Sequence, residues 1–409
     1  MYSLVLNALS NNNLRHRRRL PLTHPLCSIC SESTNTTTTT TTTTTTNQNG
    51  PSIDKSRRSK GRPHKRNSFQ GSYDINRLTA AHPALRPHII IQAHSGRQTV
   101  NWSNPESVRV LNTALLVADY GIHPQYADLL PMGALFPPVP GRADYVHHMA
   151  DLLQRSNNDG NIPMGRKVVG VDIGTGASCI YPILATSIYG WRMIASEIDP
   201  TSIRSARDIV TANALEELID VRTQERSSRI FDGVLHRGEV VDFTMCNPPF
   251  YTSKGAFQAE NARKLRGLSR SNQSRRNVVR SMPAFNSTTT SESSTGMSNN
   301  FGGNDNELWC NGGEVSFVKN MIRESELYQD KCLWFTSLVS RKDNLPKIES
   351  IMNIKGKSRR KSGRRVRRQV DVQAVQHMSI GSGHKSSTII MWSFLDEKQR
   401  QEWGARRWS

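Results

Sequence analysis

Residues 168–199, VVGVDIGTGASCIYPILATSIYGWRMIASEID, carry the pattern that identifies the class of fold. The apolar run Val168–Ile173 is typical of a buried strand, and a Gly-x-Gly turn then leads into an apolar helix from about Ala177 to Tyr189. A second strand over Arg192–Ile198 ends in acidic residues. A strand, a tight turn, a helix and another strand form the repeating unit of a parallel sheet that carries helices on its faces.

The alternation of strands and helices continues towards the C-terminus, and helical segments precede it. Asn104-Pro105 begins one upstream helix, because asparagine caps a helix and proline suits its first position. A second upstream helix fits Arg142–Leu153. The pattern predicts an α/β fold with a mostly parallel sheet and a small N-terminal helical module. The remaining predicted elements are helices over Thr201–Leu215, Gly313–Gln329 and Lys342–Met352, and strands over Val240–Cys246, Leu333–Val339 and Ser387–Phe394.

The positive charge of the chain is concentrated in three segments. The 409 residues have a formal net charge of +20. Residues 1–70 hold 11 basic and 2 acidic residues, residues 254–282 hold 8 and 1, and residues 355–368 hold 9 and none. These segments are poor in apolar residues, so we expect a disordered basic tail and disordered basic loops. Such clusters indicate a polyanionic partner, because Lys and Arg release counterions from phosphates.

The composition also predicts domain boundaries and excludes two classes of protein. No run approaches 18 consecutive apolar residues, which excludes a membrane span. Six scattered cysteines argue against a disulfide-rich secreted domain, and Cys27 and Cys30 have no second metal-binding pair nearby. We therefore interpret these two as incidental thiols and expect no metal. The predicted units are a tail over residues 1–72, a helical module over 73–160, an α/β domain over 161–396 with a disordered insert at 254–311 and a basic loop at 355–368, and a C-terminal tail over 397–409.

The Gly-x-Gly turn at Val171–Ser178 predicts a cofactor site. Free backbone N–H groups in such a turn can face a ligand, and the glycines allow close approach. A dinucleotide fingerprint needs a third glycine where Cys179 stands, which disfavours a nicotinamide cofactor. The acidic strand end Asp172 instead suits S-adenosylmethionine (SAM), whose amino-acid end needs hydrogen-bond partners. Glu197, at the end of the next strand, can accept hydrogen bonds from two ribose hydroxyls.

The segment Asn247-Pro248-Pro249-Phe250 predicts a site for an amine, because it follows a strand at the edge where ligands of α/β sheets bind. Two prolines lock the backbone and leave carbonyl acceptors, and asparagine adds a side-chain carbonyl. Two acceptors at a set spacing can hold both hydrogens of an exocyclic amine and aim its lone pair at a sulfonium methyl group. Phe250 or Tyr251 can stack on the base. The combined motifs therefore predict a SAM-dependent amino-methyltransferase that works by positioning and needs neither a metal nor a charged base.

Several separated motifs resemble the methyltransferase-like sixteen family in order and spacing, over roughly residues 73–253 and 312–396. This family methylates the N6 atom of an adenine in U6 small nuclear RNA and is related to a bacterial enzyme that acts on large-subunit ribosomal RNA. The resemblance implies a Rossmann-like class I SAM-dependent methyltransferase fold with an RNA-binding N-terminal module. The matching motifs are Val171–Tyr181 (VDIGTGASCIY), Glu197–Asp199, Cys246–Phe250 (CNPPF), Gly312–Val318 (GGEVSFV), Trp392–Phe394, Asn101–Arg109 and Pro137–Tyr145 (PPVPGRADY).

The resemblance also implies individual site residues. It places Asn247 at the reacting amine and Ser228, where the family usually has threonine, beside SAM. Together with the motif analysis, it gives Asn247, Pro248, Pro249 and Phe250 as candidate catalytic residues. The candidate cofactor-binding residues are Arg142, Asp172, Gly174, Thr175, Gly176, Ser178, Glu197, Ser228 and Asn247.

The chain departs from the family in two features that bear on the RNA it selects. The C-terminal RNA-binding region of the animal members is expected to be missing, and the loop after Phe250 is longer and more basic. Two alternatives keep SAM but change the acceptor, either to a base of ribosomal RNA (adenine N6 or guanine N2) or to a protein glutamine. A third alternative is an RNA-binding protein without catalysis.

Structured RNA, with U6 small nuclear RNA first, is the expected partner, and we expect no membrane partner. The basic segments 1–70, 254–282 and 355–368 would contact it. Arginine and lysine clusters near the N-terminus favour a nuclear location, with mitochondrial or cytoplasmic locations as alternatives. We expect a monomer, although no sequence feature determines the oligomeric state.

Overall fold

The computed structural model describes residues 62–93, 95–134, 136–249, 310–354, 369–382 and 385–408, together with residue 255. All of these belong to one of the two units into which the chain divides, Arg58–Ser409. Phe250, Cys27, Cys30, nearly all of the insert 254–311 and the basic loop 355–368 lie outside the described residues. Within the described part, no helix has the length and apolar character needed to span a bilayer.

Eight α-helices and eleven strands lie in the described part of the chain. The helices are α1 (Ile75–Ala81), α2 (Pro105–Tyr120), α3 (Val139–Gln154), α4 (Ile180–Tyr189), α5 (Pro200–Ala212), α6 (Gly313–Ser325), α7 (Leu345–Glu349) and α8 (Glu397–Arg407). The strands are β1 (Ile89–Ile91), β2 (Gln98–Val100), β3 (Val169–Ile173), β4 (Arg192–Glu197), β5 (Ile219–Thr223), β6 (Val241–Cys246), β7 (Cys332–Val339), β8 (Met352–Ile354), β9 (Val370–Val372), β10 (Ala374–Ser382) and β11 (Lys385–Ser393).

The main sheet of the described residues has seven strands in the order β10-β11-β7-β6-β3-β4-β5. Strands β7, β6, β3, β4 and β5 run parallel to their neighbours, while β11 and β10 are antiparallel. The mostly parallel sheet that the sequence predicts is therefore confirmed, with the strand directions of a Rossmann-like fold. Because β3 and β6 lie side by side at its centre, their carboxyl ends meet at one edge.

Hydrophobic clusters cover both faces of this sheet. Alternate residues of a strand point to opposite faces, so Phe243 and Met245 belong to the cluster that contains α2–α5, whereas Val171 and Ile173 belong to the cluster that contains α6. The packing at Gly170 is tight: a Cβ atom there would lie 2.7 Å from the sulfur of Met193. Strand β3, which leads to the glycine turn, is therefore packed between the two hydrophobic clusters.

The short strands β1, β2, β8 and β9 are not among the predicted strands, and two strands of the main sheet, β5 and β10, also have no counterpart among the predicted elements. Both lie at the edges of the sheet, where polar residues alternate with apolar ones and the hydrophobic signal is weak. The helix predicted over Lys342–Met352 is also shorter than expected. A 3-10 turn precedes α7, and the chain enters β8 at Met352.

Residues 62–72 form ordered structure, so the predicted disordered tail over residues 1–72 extends too far. The backbone N–H of His64 and the side-chain amide of Asn67 both donate to Asp144 on α3, at 2.9 and 2.5 Å. Arg66 pairs at 2.8 Å with Asp151, which lies two turns further along the same helix. Composition cannot reveal this docking, because it depends on polar groups that find their partners about 80 residues away in the chain.

Residues 397–407 form helix α8 instead of the predicted C-terminal tail. Asp396 caps the helix in a capping box with Gln399. Trp403 donates from its indole nitrogen to the buried carboxylate of Asp242 at 2.8 Å, and Arg407 pairs with the same carboxylate at 2.7 Å. Helix α8 thus compensates a charge that lies inside the α/β domain.

Candidate active site

A cavity of about 640 Å³ lies at the carboxyl ends of β3, β4 and β6. Its volume is in the usual range for a small-molecule site. Nine of the predicted site residues line it: Arg142, Gly174, Thr175, Gly176, Ser178, Glu197, Asn247, Pro248 and Pro249. The structure therefore brings the glycine turn, the acidic strand end and the Asn-Pro-Pro segment to one place.

Contrary to what the sequence predicts, the N–H groups of the glycine turn are not free but are bonded within the protein. The N–H groups of Gly174 and Thr175 donate to the carbonyl of Ser196, at 3.0 and 2.9 Å, and that of Gly176 donates to Glu197 at 2.8 Å. These three groups are not free for a ligand. The turn instead offers close approach, since Gly174 has a φ of 69° and a Cβ atom there would meet nothing within 4 Å.

Glu197 holds the turn as well as lining the cavity. Besides Gly176, its carboxylate accepts hydrogen bonds from the backbone N–H groups of Ile198 and Asp199, at 2.7 and 3.1 Å. A carboxylate has about four lone-pair positions, and these three contacts leave capacity for one further donor. The residue that the sequence assigns to ribose hydroxyls therefore also orients the adjacent loop.

Asp172 and Arg142 present buried polar atoms without partners. Asp172 is 1% exposed, and no hydrogen bond from the described residues reaches either of its carboxylate oxygens. Burial raises the pKa of Asp172 to about 7. Arg142 donates from one terminal nitrogen to the hydroxyl of Tyr181 at 2.7 Å, while its buried Nε has no partner among the described residues. A buried acid and a buried base of this kind fit the ammonium and carboxylate groups at the amino-acid end of SAM.

A chain of hydrogen bonds lies beneath the Asn-Pro-Pro segment. The hydroxyl oxygen of the buried Tyr145 accepts from the N–H of Cys246 at 3.4 Å, and the same hydroxyl lies 2.7 Å from Oγ1 of Thr336. Thr336 in turn donates to the carbonyl of Thr244 at 2.6 Å. These contacts tie the last residue of β6 to α3 and β7, immediately before Asn247.

The opposite wall of the cavity is held by a buried carboxylate. Glu324 on α6 accepts from the N–H groups of Ile230, Phe231 and Asp232, at distances of 2.8–3.1 Å. The segment that it holds contributes Ser227 and Ile230 to the lining. Ser228 is exposed and does not line the cavity, although its neighbours do. Of the predicted residues, Asp172 lies below the lining and Phe250 lies outside the described residues.

A family of RNA methyltransferases matches residues 57–396 of the chain. The chain belongs to this family. Ribosomal RNA large subunit methyltransferase F of Pseudomonas putida is 43% identical over 344 residues, which are 84% of this chain and 96% of that protein. The corresponding protein of Photobacterium profundum is 39% identical over 347 residues, 85% of this chain and 95% of that protein.

Solved structures of a human methyltransferase share the fold. The catalytic domain of human METTL16 in complex with MAT2A 3′UTR hairpin 1 has a TM-score of 0.58 and 27% identity, over 82% of this chain and 96% of that one. The N-terminal domain of human METTL16 in complex with SAH has a TM-score of 0.55 and 26% identity, over 82% and 99%. The protein is thus a SAM-dependent RNA methyltransferase, as the motifs predict.

The relatives also correct one prediction about this methyltransferase. The expected nuclear location is wrong, because the similar curated proteins come from Pseudomonas and Photobacterium, and bacteria have no nucleus. The basic clusters on which that expectation depended occur equally in proteins that bind nucleic acid without nuclear import.

Sequence analysis did not assign a role to several residues that shape the methyltransferase site, notably Tyr145, Tyr181 and Glu324. Both tyrosines fall inside matched motifs, but nothing in their spacing shows that Tyr145 lies under Asn247 or that Tyr181 contacts Arg142. Glu324 lies on the buried side of an amphipathic helix. An acid among apolar helix positions is the one signal that could have drawn attention to it.

A cluster outside the cavity has the composition of a metal site. One ligand atom each from His64, His148 and Asp151 lies within 4.8 Å of the others. The Asp151 carboxylate already contacts His64 Nε2 and the Arg66 guanidinium, each at 2.8 Å. Since a guanidinium compensates the only anionic ligand, we assign this cluster to the docking of residues 62–72 on α3.

Proposed function

We propose that the protein transfers a methyl group from SAM to the N6 amine of an adenosine in large-subunit ribosomal RNA. The strongest support is that Asn247, Pro248 and Pro249 line the same cavity as the glycine turn and Glu197. An acceptor for amine hydrogens therefore faces the space that a bound nucleoside cofactor would share.

The reaction depends on positioning the amine against the methyl group more than on acid or base catalysis. Bound SAM supplies a methyl group that its sulfonium already activates. The side-chain carbonyl of Asn247 and the carbonyl of Pro248 accept the two amine hydrogens, which turns the nitrogen lone pair towards the methyl group. Holding reactants in this geometry can supply a large part of a rate enhancement. The buried contacts of Tyr145 and Thr336 keep the strand end in place and so limit the motion of Asn247.

The cofactor would be held at both of its ends. We assign Arg142 and Asp172 to its amino-acid end, because both carry buried polar atoms that lack partners in the described part of the chain. Gly174, Thr175, Gly176 and Ser178 allow close approach, and Glu197 has capacity for a ribose hydroxyl. Aromatic stacking of the base by Phe250 remains a prediction from the sequence.

Large-subunit ribosomal RNA is the favoured substrate because of sequence similarity. The ribosomal relatives are 39–43% identical over more than 340 residues, whereas the human domains are 25–27% identical. Recognition of a hairpin such as that of U6 small nuclear RNA is the second candidate. Two of the human structures are complexes with RNA hairpins, and this favours it.

The experiment is methylation of transcribed large-subunit ribosomal RNA and of a U6 hairpin, followed by mass spectrometry of the nucleosides. We expect N6-methyladenosine from the wild-type protein on ribosomal RNA. The Asn247→Ala variant should lose this activity, by about 100-fold or more if the amide aligns the amine.

The exposed Arg155→Gln variant is the control and should keep full activity. SAM binding and the melting temperature of each variant show whether folding is intact. Formation of N2-methylguanosine instead, or undiminished turnover by a folded Asn247→Ala variant, would overturn the proposal. Methylation of the U6 hairpin alone would establish the second candidate.

A further inference from the structure

A second cavity, of about 450 Å³, lies at the edge of the sheet opposite the candidate active site. It is formed at the amino ends of β3, β4 and β6, and the last turn of α8 contributes to its wall. We call it the rear cavity and define it by its charged lining residues: Arg166, Lys167, Arg192, Glu239 and Arg407. None of the residues that line the rear cavity lines the candidate active site.

The lining has four cationic side chains and one acid. The acid, Glu239, is already compensated, because Arg222 contacts its two oxygens at 2.6 and 2.7 Å. Arg407 is paired with Asp242. The excess of positive charge therefore comes from the side of the cavity that carries Arg166 and Arg192.

These two arginines are available to an external anion. The side chain of Arg192 is exposed and makes no hydrogen bond or ion pair with the described residues, whereas its backbone N–H donates to the carbonyl of Val168. Arg166 pairs with Glu217 at 2.8 Å, but their side chains are 65% and 80% exposed. Such a surface pair contributes little and exchanges readily with a stronger anionic partner.

Phosphate is the anion that this arrangement suits best. A guanidinium binds phosphate oxygens through paired N–H donors, and Arg166 and Arg192 both bring such a group to the lining of the rear cavity. Strands β3 and β4 are five and six residues long, so about 20 Å separates this edge from the active-site edge. A large folded RNA can span that distance, whereas a hairpin that is shorter than the separation cannot contact both edges at once.

We propose that the rear cavity binds backbone phosphates of the RNA substrate at a position remote from the methylated nucleotide. This inference rests on the RNA substrate of the proposed function. It does not depend on which base is methylated. The contact would add affinity for a large folded RNA without touching SAM.

The test compares Arg192→Gln, the double variant Arg166→Gln/Arg192→Gln and the control Arg155→Gln. Binding to a large-subunit ribosomal RNA fragment and to a short hairpin is measured between 50 and about 200 mM salt. For the large fragment, we expect each lost contact to weaken binding several-fold and to lower the slope of log K against log salt by about 1. The control should match the wild type.

Two results would overturn the inference. One is an unchanged salt slope for the double variant on the large fragment, and the other is equal weakening of binding to the short hairpin. SAM affinity, measured by calorimetry, should be the same in all variants. If the wild-type protein methylated no RNA, the proposed function would be contradicted. The binding measurements would still test the inference about the rear cavity.

Discussion

The hydroxyl of Tyr145 shows how one buried atom can align a reactive segment. It accepts from Cys246, the residue directly before Asn247, and contacts Thr336 on the neighbouring strand. The ring of Tyr145 also packs edge-on against Tyr181, whose hydroxyl accepts a hydrogen bond from Arg142. A single side chain thus adjoins both the cofactor end and the acceptor end of the cavity.

Replacing Tyr145 by phenylalanine should lower kcat more than it raises the KM for SAM. The change removes the acceptor of the Cys246 N–H and the hydroxyl that contacts Thr336, which costs about 1–3 kcal/mol of stability. Urea denaturation and steady-state kinetics measure the two effects. Tyr120→Phe is the matched control, since its hydroxyl has only a 3.4 Å contact with Ser68. Equal kinetics for both variants would show that Tyr145 is merely structural.

Asp172 should make stability fall as the pH rises. Burial raises its pKa from 3.8 to about 7 in the folded protein, so the folded state binds a proton that the unfolded state has lost. Between pH 4 and 7 this group therefore destabilises the SAM-free protein increasingly, by about 4 kcal/mol at most. The Asp172→Asn variant has no such proton.

Urea unfolding at pH 5, 6, 7 and 8 checks this prediction. The free energy of unfolding of the wild type should fall relative to that of Asp172→Asn up to about pH 7 and then level off. A constant difference between the two proteins would mean that Asp172 is ionised throughout.

At the level of secondary structure, α8 is the largest difference from the sequence expectation. Its sequence is rich in charge, and only Trp403 and Gly404 are buried. Gly404 packs so closely that a Cβ atom would approach the Trp408 ring to 3.1 Å. The capping box in the sequence could have indicated this helix. Its docking could not have been predicted, because it depends on Asp242, which lies far away in the sequence.

Arg407→Gln should lower the free energy of unfolding by about 3 kcal/mol, because it leaves the buried Asp242 with less compensation. Arg406→Gln is the control, since Arg406 is exposed and its side chain contacts only the carbonyl of Glu402. Thermal and urea unfolding of both variants measure the difference. Equal losses of stability would contradict a specific role for the Arg407–Asp242 pair.

For the whole molecule, the prediction concerns the basic segments that lie outside the described residues. If residues 355–368 contact RNA, replacing their nine basic residues by serine should weaken RNA binding and reduce its salt dependence. SAM affinity should not change, because the described residues that line the cavity belong to other parts of the chain. Filter binding at several salt concentrations, with calorimetry for SAM, tests this. An unaltered salt slope would show that these charges do not contact the RNA.

Much of the fold and most of the candidate site could be predicted because they depend on local patterns. Apolar runs next to the glycine turn identify β3 and α4, and the Asn-Pro-Pro segment follows β6 directly in the chain. Edge strands such as β5 could not be predicted, because half-exposed strands carry weak patterns. The ordering of residues 62–72 could not be predicted either, since it depends on distant acids.

By itself, the sequence determined the class of fold, the cofactor and the residues that face each other across the cavity. Chain order places these motifs at strand ends, and the carboxyl ends of parallel strands share an edge. How these groups are used depends on the three-dimensional arrangement of the chain. Hydrogen bonds within the protein occupy the N–H groups of the glycine turn, Tyr145 supports the strand before Asn247, and cations collect at the opposite edge. Each of these depends on distances between residues far apart in the chain, which no local pattern encodes.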